Sequence, residues 1–428
     1  MLAADLPPMD VERELAALRS QVSALRASWR EAWADAERSG QVRDLVRDVL
    51  ADSATRASMA GAAWIVGHEG GASLRSPDGS ASIRLNAMTQ VRFVYASASG
   101  PDDPAVAEQD RWGFENRRTN LGMDGTLFDP TVTWNALLSY QSQSDRFEVR
   151  PESLRPLYAW VRKDLGRGLW CTAGLQNVPW DLQSTFYGSS RLMSGDYSIF
   201  NYRFGTGKQP GVSLGYRDGT VRGSAAVFSQ LSQVSEGWDL DTNLSFGFAT
   251  RHEVRIGSAW DELGVESSLP GSKPGVIAGL GFCWSGARGT NPQPPASIAT
   301  PAAAGFTADL RAVLGGASVV GQCALMRDAV GAPELGWWFG TSVQAGAFIS
   351  ETVEAFAEAA WMDGIPVPWI AQAGVNWHAA GPAVKVTAKV IVPFGTGDVN
   401  GIREISGGLG MASRDGNASL VTQLQMAY

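Results

Sequence analysis

Long stretches in which apolar and polar side chains alternate restrict the fold of this chain more than any other feature. The segment SIRLNAMTQVRFVY, residues 82–95, is one of them. Its odd-numbered positions are mostly apolar, and its even-numbered positions include Arg84, Asn86, Gln90 and Arg92. A period of two residues is typical of a β-strand with two chemically different faces. The segment therefore predicts a long strand with one apolar face.

The same alternation recurs along much of the chain after residue 80. Further examples lie at 113–127, 132–141, 353–361, 369–378, 384–392 and 420–428. Their polar faces carry mainly Asn, Gln, Thr and Ser, whereas a sheet facing bulk water usually carries many Lys and Glu. Their apolar faces carry aromatic residues near the strand ends, which suit a membrane–water boundary. In hydrocarbon every backbone amide needs a partner, so such strands are expected to close into a barrel.

Short and mostly longer connections alternate between these strands. The short ones lie at 128–131, 164–167, 315–316, 350–352 and 379–381, and the longer ones at about 98–111, 143–154, 180–208, 231–241, 286–303 and 394–415. One end with short turns and one with long loops is typical of outer-membrane barrels. This parity predicts an all-β fold, a 16-stranded antiparallel transmembrane β-barrel over residues 81–428, with a longer connection at about 257–274 on the short-turn side. A barrel of this size has a lumen too wide for side chains to fill.

Residues 1–60 have helical periodicity instead. Apolar residues recur there at alternating spacings of four and three, which is the pattern of a coiled coil. The expected oligomerisation residues are Leu15, Leu18, Val22, Leu25 and Trp29. A helix packed on its own domain is the alternative. Residues 61–80 are expected to form a Gly-rich linker between this short helical coiled coil and the barrel.

The composition argues against several other functions. The formal net charge is −8, and a nucleic-acid partner requires a basic face. The three cysteines and three histidines are too scattered to suggest metal-ligand spacing or a catalytic triad. No cofactor, metal site or enzyme activity is therefore expected. The first ten residues lack the basic region and apolar core of a secretory signal.

Several blocks of the sequence point to one family of porins. The blocks are RSPDGSASIRLNAMTQVRFVY (75–95), RWGFENRRTNLGMDGTLFDP (111–130), AGLQNVPW (173–180), SVQAGAFISETVEAFAEAAWMD (342–363), AGVNWHAAGPAVKVTAKV (373–390) and LVTQLQMAY (420–428). With DVLADSATRASM (48–59), they resemble trimeric phosphate-selective porins of the porin O and P type, in particular a branch with an N-terminal coiled coil. The resemblance implies a trimeric outer-membrane barrel whose third long loop, here about 180–209, folds into the lumen as a constriction.

Charged residues on the inward faces and in this loop are the candidate pore-lining and constriction residues. They are Arg84, Arg92, Arg118, Arg191, Asp196, Arg203, Lys208, Glu354, Glu358, Lys385 and Lys389. Rings of charged side chains tune the selectivity of a pore. Alternatively, the arginines pair with carboxylates and hold the wall together. Phosphate selectivity in the family relies on lysines clustered at the constriction, and because only Lys208 lies in this loop, that selectivity is not expected here.

The expected function is passive diffusion of small hydrophilic solutes or ions through a homotrimeric, water-filled barrel. Its expected location is the lipid of the bacterial outer membrane, with residues 1–60 in the periplasm. A structural barrel that tethers or packs the envelope through its coiled coil is the alternative, with peptidoglycan or another periplasmic component as a partner. A soluble or virion fibre with a trimeric stalk is a third interpretation.

Overall fold

The structure is a computed structural model that describes most of the barrel and a short part of the N-terminal segment. The described residues are 18–24, 65–68, 72–97, 111–140, 154–229, 246–285, 303–328, 337–363, 368–395 and 418–428. Contacts divide the chain into two units, one with residues 1–65 and 76–78 and the other with residues 66–75 and 79–428. None of the described helices is long and apolar enough to cross a membrane.

Strands make up most of the described chain, and sixteen of them form a closed sheet. The strands are β1 (Ile65–His68), β2 (Ala72–Arg75), β3 (Ser82–Ala96), β4 (Arg111–Leu127), β5 (Asp129–Tyr140), β6 (Leu154–Gly166), β7 (Leu169–Asn177), β8 (Lys208–Arg217), β9 (Val221–Phe228), β10 (Gly247–Gly257), β11 (Gly275–Ser285), β12 (Ala303–Val313), β13 (Ala317–Asp328), β14 (Trp337–Phe348), β15 (Val353–Met362), β16 (Trp369–Pro382), β17 (Val384–Phe394) and β18 (Ser419–Ala427). From β3 onward each strand pairs antiparallel with the next, and β18 pairs with β3. The predicted 16-stranded antiparallel barrel is confirmed.

The two faces of the barrel strands differ as the alternation predicts. On β3, the Leu85 side chain is 45% exposed on the outside, whereas Gln90 and Arg92 are 0% and 1% exposed. Exposed leucine, valine, phenylalanine and tryptophan side chains recur at outward positions of the other strands. The wall therefore has an apolar outer face, and its buried polar and charged side chains lie on the inner face.

The connections differ in length between the two ends of the barrel. At one end the strands are joined by Phe128, 167–168, 218–220, 314–316, 349–352 and Ala383, and by the longer segment 258–274. At the other end lies the described segment 178–207, which joins β7 to β8 and contains two short α-helices. These two longer segments both contact inward-facing side chains, and they position the candidate site.

The described part of the N-terminal segment is a helix, α1, at residues 18–24. Two of the expected seam residues lie on it, and their side chains are exposed, Leu18 by 57% and Val22 by 46%. The other three, Leu15, Leu25 and Trp29, lie outside the described residues. The coiled coil stays a prediction. The segment expected to be a linker contains β1 and β2, and β2 pairs with the start of β3.

Candidate functional site

Residues 178–207 form an insert that lies against the inner wall of the barrel, and we call it the lumenal loop. It contains α2 (Leu182–Phe186), a 3₁₀ turn (Ser189–Arg191) and α3 (Ile199–Phe204). Each helix begins at a side-chain cap: Asp181 accepts a hydrogen bond from the Ser184 amide at 2.8 Å, and Ser198 accepts one from the Asn201 amide at 3.2 Å. Such caps satisfy amides that have no partner within the helix. Short helices that would be marginal alone are therefore ordered by caps and by contacts with the wall.

Asp196 of the lumenal loop forms ion pairs with three arginines of the wall. Its carboxylate lies 3.0 Å from Arg92 Nη1, 3.1 Å from Arg117 Nε and 3.1 Å from Arg118 Nη2. All four side chains are buried. Burial raises the pKa of Asp196, but attraction to Arg117, Arg118 and Arg92 outweighs it and holds that pKa well below its ordinary value. The carboxylate is therefore ionised at neutral pH and ties the loop to β3 and β4.

A β-bulge explains how two consecutive arginines reach the same carboxylate. In the β3–β4 register, Gln90 pairs with Arg118 and Val91 pairs with Asn116, so Arg117 has no opposite residue. A bulge inserts one extra residue into a strand and redirects its side chain. Strict alternation placed Arg118 inward and missed Arg117. The only signal for it in the sequence is the arginine pair itself, within ENRRTN.

Polar side chains on the inner face of β16–β18 bind the backbone of the lumenal loop. Lys385 Nζ donates to the Leu192 carbonyl at 2.6 Å, and Asn376 Nδ2 donates to the Met193 carbonyl at 2.9 Å. Further along the loop, Gln423 Nε2 donates to the Gly195 carbonyl at 3.2 Å. Buried polar groups need such partners. At least one inward polar residue of each of β16, β17 and β18 therefore binds the loop.

Apolar residues of the lumenal loop pack against apolar side chains on the inner face of β13 and β15–β18. Phe200 and Phe204 pack in a buried cluster whose other members lie on α3 and the wall: Ile199, Ala324, Ala360, Met362, Ile370, Ile391 and Val421. Two inward glycines provide room for the loop. A Cβ at Gly340 would collide with the Phe204 ring, and one at Gly281 would collide with the Trp180 carbonyl. Side chains at these positions would prevent the loop from lying flat on the wall.

A second insert, residues 258–274, enters from the short-turn end and meets the lumenal loop. Glu266 is fully buried and accepts hydrogen bonds from the Met193 amide at 2.8 Å and from Gln183 Nε2 at 2.7 Å. Burial raises the pKa of Glu266. The next residue, Ser267, donates to Glu354 on β15 at 2.8 Å. The two inserts and the wall therefore share one hydrogen-bonded network.

The acidic and basic candidates on β15–β17 are part of this packed region. Glu354 also accepts hydrogen bonds from Asn376 at 2.9 Å and contacts His378 at 3.1 Å. Glu358 accepts one from Gln372 at 2.5 Å. Lys389 is buried, and its ammonium group has no hydrogen-bond partner among the described residues. Contact of these residues with permeating solutes stays a prediction.

The remaining candidates are placed more openly. Arg84 is half exposed and pairs with Asp124 at 2.7 Å. Arg191 is exposed, with Nη1 3.5 Å from the Gly264 carbonyl. Lys208 lies 5.0 Å from the centre of the Tyr158 ring. Arg203 lies on α3, but its side chain is outside the described part of the structure.

The opposite side of the lumen contains a cavity of about 960 Å³, bounded by β5–β10 and the lumenal loop. It extends along the whole of β7, because Gly168 before the strand and Asn177 at its end both line it. Its charged lining residues are Arg162, Arg191, Arg217, Arg222, Arg251, Asp164 and Glu253, and its aromatic ones are Tyr158, Trp160, Trp170 and Phe186. The lining is thus rich in arginine and aromatic rings.

The arginines of the cavity differ in how they are held. Arg251 bonds Glu253 at 2.6 Å and Asp309 at 2.8 Å, so its charge is fully compensated. Arg222 pairs with Glu253 and stacks 3.6 Å from the centre of the Phe186 ring. Apart from Arg191, none of these arginines was among the sequence candidates. The alternation of Tyr158, Trp160, Arg162 and Asp164 along β6 is the signal that points to this face.

No group of three or more His, Cys, Asp or Glu side chains able to hold a metal ion is present in the described part of the chain. The three cysteines, Cys171, Cys283 and Cys323, are unpaired. Most charged groups of the lumen are engaged with one another or with the inserts, and Lys389 Nζ and the terminal nitrogens of Arg162 are exceptions among the described residues. What the arrangement offers chemically is a polar surface for binding or passage.

Several solved outer-membrane proteins match this chain in structure. Salmonella typhi OmpF, in a complex with daunomycin, matches with a TM-score of 0.53 and 10% identity over 82% of this chain and 98% of that one. Outer-membrane expressed OmpT of Vibrio cholerae matches with a TM-score of 0.47 and 12% identity over 82% and 98%. A mutant of the Rh. blastica porin matches with a TM-score of 0.42 and 12% identity over 81% and 100%.

No protein-family model matches the chain, and no match was found among curated proteins. At these identities, the likeness to OmpF shows a common barrel fold. The finer resemblance to phosphate-selective porins of the O and P type stays a prediction.

Proposed function

We propose that this protein is an outer-membrane channel that lets small hydrophilic solutes or ions diffuse passively through its barrel. The observation that carries the proposal is the cavity of about 960 Å³ along β5–β10, lined by charged, polar and aromatic side chains inside a closed barrel with an apolar outer face. A closed sheet has no unpaired edge, which hydrocarbon requires. The outward aromatic side chains near the strand ends, such as Trp361 and Trp369, support a membrane location.

In this proposal, solutes pass along the β5–β10 wall and not along β13–β18. Side chains on β13–β18 are buried by the lumenal loop, whereas Arg162 and Arg217 line the cavity. The lumenal loop limits the size of the solute, and the charged lining residues select by charge. The short-turn end faces the periplasm, as does the N-terminal segment. The phosphate selectivity of the O and P type is not part of the proposal.

Single-channel recording in planar bilayers tests this function. The purified full-length protein should produce stepwise, ohmic conductance in simple salt. Under a salt gradient, the reversal potential should report the sign of the preferred ion. A barrel that inserts, shown by heat-modifiable gel mobility, but gives no conductance steps would contradict the channel and favour a structural role.

An oligomeric, envelope-tethering role is a second candidate that the channel does not exclude. The exposed Leu18 and Val22 side chains on α1 support it, because exposed apolar seam residues are typical of helices with a partner. In this candidate three copies associate, and the helices contact peptidoglycan or another periplasmic component. A Leu18→Asp, Val22→Asp double variant should lower the oligomer state in detergent while leaving single-barrel conductance unchanged. An unchanged oligomer would contradict the role of these two residues.

A further inference from the structure

Part of the cavity wall combines aromatic faces with an arginine that has no acidic partner among the residues that the structure describes. Tyr158, Trp160 and Arg162 occupy alternate positions of β6 and line the cavity. Alternate residues of a strand lie roughly 7 Å apart on one face, which is close to the length of a substituted benzene ring. Trp170 of β7 lies beside them in the same lining. We call these four side chains the β6 ladder.

Stacking and one hydrogen bond set the orientation of Arg162. Its guanidinium carbon lies 4.9 Å from the centre of the Trp160 ring and 5.4 Å from that of Trp170. Its Nε donates to Thr172 Oγ1 at 3.0 Å. Arginine stacked on aromatic faces loses less freedom on binding a further partner, because its planar fork is already oriented.

The terminal nitrogens of Arg162 have no hydrogen-bond partner within the described residues, and no carboxylate there lies within ion-pair distance. The neighbouring arginines differ: Arg251 is bound by two carboxylates, Arg222 by Glu253, and Arg217 lies 3.4 Å from Asp261. Arg162 and the more exposed Arg191 are therefore the arginines of the lining without a carboxylate partner among the described residues, and of the two Arg162 is the one stacked on tryptophan rings. A guanidinium binds a carboxylate through two parallel hydrogen bonds.

We propose that the β6 ladder binds small organic anions that carry a carboxylate on an aromatic ring. The Arg162 fork takes the carboxylate, and the faces of Tyr158 and Trp160 pack against the ring. Lys208, 5.0 Å from the centre of the Tyr158 ring, places a second cation at the other end of the ladder. The cavity has the volume of a small-molecule site, about 300–1,000 Å³. This inference rests on the proposed channel function and names its substrate class.

Benzoate is the probe, and three matched compounds separate its parts. Acetate has the carboxylate without the ring, benzamide has the ring without the charge, and phosphate has charge without either. Benzoate should reduce single-channel chloride current at millimolar concentration, and the other three should need at least about tenfold more, which corresponds to about 1.4 kcal/mol. Equal potency of benzoate, acetate and phosphate would overturn the proposal and leave only general anion attraction.

Substitutions in the β6 ladder test whether these residues bind the benzoate that blocks the current. Arg162→Gln and Trp160→Ala should each weaken the benzoate block by about tenfold or more, and Arg162→Lys should recover little, because a lysine lacks the planar fork. Arg327→Gln is the matched control, since Arg327 is an exposed arginine on the outer face of β13. Unchanged block in Arg162→Gln would overturn the assignment.

Calorimetric titration of the detergent-solubilised barrel keeps the two proposals separable. Conductance without a benzoate effect in either measurement contradicts the β6 ladder and leaves the channel intact. Benzoate binding that depends on Arg162, in a barrel that does not conduct, supports the ladder and contradicts the channel. Absence of both contradicts both.

Discussion

Two halves of the barrel wall belong to one continuous sheet, but the inner face of one is covered by the lumenal loop and the inner face of the other lines a cavity. Along β13–β18 the inward side chains hold the lumenal loop, through apolar packing at Phe200 and Phe204 and through bonds to the loop backbone. Along β5–β10 the same inward positions line a cavity of about 960 Å³. The sheet pairing is continuous through both halves, so the difference lies in the inward side chains and in the loop that they hold. A barrel of this size can therefore be filled on one side and open on the other.

Glycines occupy inward positions on both halves, with different surroundings. The inward positions of β7 and β8 include Gly174, Gly211 and Gly215, which place no side chain in the lumen. Their neighbours, such as Trp170, lie flat over them: a Cβ at Gly215 would collide with the Trp170 ring. On the filled half, glycines receive side chains of the loop instead. Inward glycines therefore make room for rings of the wall on the open half and for side chains of the loop on the filled half.

Of the changes proposed, removing the Asp196 carboxylate should most strongly reduce the difference between the filled half and the open half of the lumen. Asp196→Asn removes the carboxylate that Arg92, Arg117 and Arg118 share, although Arg92 keeps its pair with Glu115, and breaking a buried pair costs about 3–5 kcal/mol. Denaturant unfolding in detergent should show the loss, and single-channel conductance should rise as the loop leaves the wall.

The exposed pair of Arg217 with Asp261 supplies the control for that experiment. Asp261→Asn should cost less than about 1 kcal/mol, since exposed ion pairs contribute little. Equal losses of stability in Asp196→Asn and Asp261→Asn would show that Asp196 does not anchor the loop.

A bulky residue at a glycine seat should have a smaller effect. Gly340→Val places a side chain against the Phe204 ring, and overpacking of this kind costs about 1–3 kcal/mol. Gly321→Val is the matched control, because a Cβ at Gly321 on β13 meets open space. Thermal unfolding of the two variants provides the measurement. A Gly321→Val variant as unstable as Gly340→Val would contradict the seating of α3.

Lowering the pH tests the same anchor, Asp196, and should have the smallest effect on conductance. The folded-state pKa of Asp196 is lowered below the ordinary value of about 3.9, so its stabilisation is complete above that pH and is lost only as pH falls through the lower folded value. Conductance should therefore stay constant from pH 7 to about 4 and rise only in stronger acid.

Glu266 touches the same loop, and burial raises its pKa, so the acid titration belongs in a Glu266→Gln background. Adding the Asp196→Asn substitution to this background should abolish the rise of conductance in acid. A step that begins well above pH 4 in the Glu266→Gln protein, or one that persists without the carboxylate, would show that another group releases the loop.

The sequence predicts the wall of this barrel better than its contents. Alternation such as Leu85 outward and Arg92 inward depends on neighbouring residues, so strand faces, the barrel and the alternation of turn lengths follow from the pattern. The bulge that redirects Arg117 breaks that periodicity and depends on pairing with β3. The seats at Gly281 and Gly340 depend on residues far away in the chain, which no local pattern contains. Some inward charges, such as Arg92, follow from the alternation, but the arginines of the cavity were not selected, and the division of inward charges between loop contacts and open cavity does not follow from the sequence.

Thiol accessibility of single cysteines on the two halves tests the central claim most directly. In a background with Cys171, Cys283 and Cys323 replaced by alanine, Asn135→Cys lies in the cavity lining and Thr387→Cys lies under the lumenal loop. A charged methanethiosulfonate reagent added during planar-bilayer recording should reduce current rapidly through Asn135→Cys channels and leave Thr387→Cys channels unchanged. Rapid modification of Thr387→Cys, with Asn135→Cys protected, would contradict a lumen open along β5–β10 and filled along β13–β18.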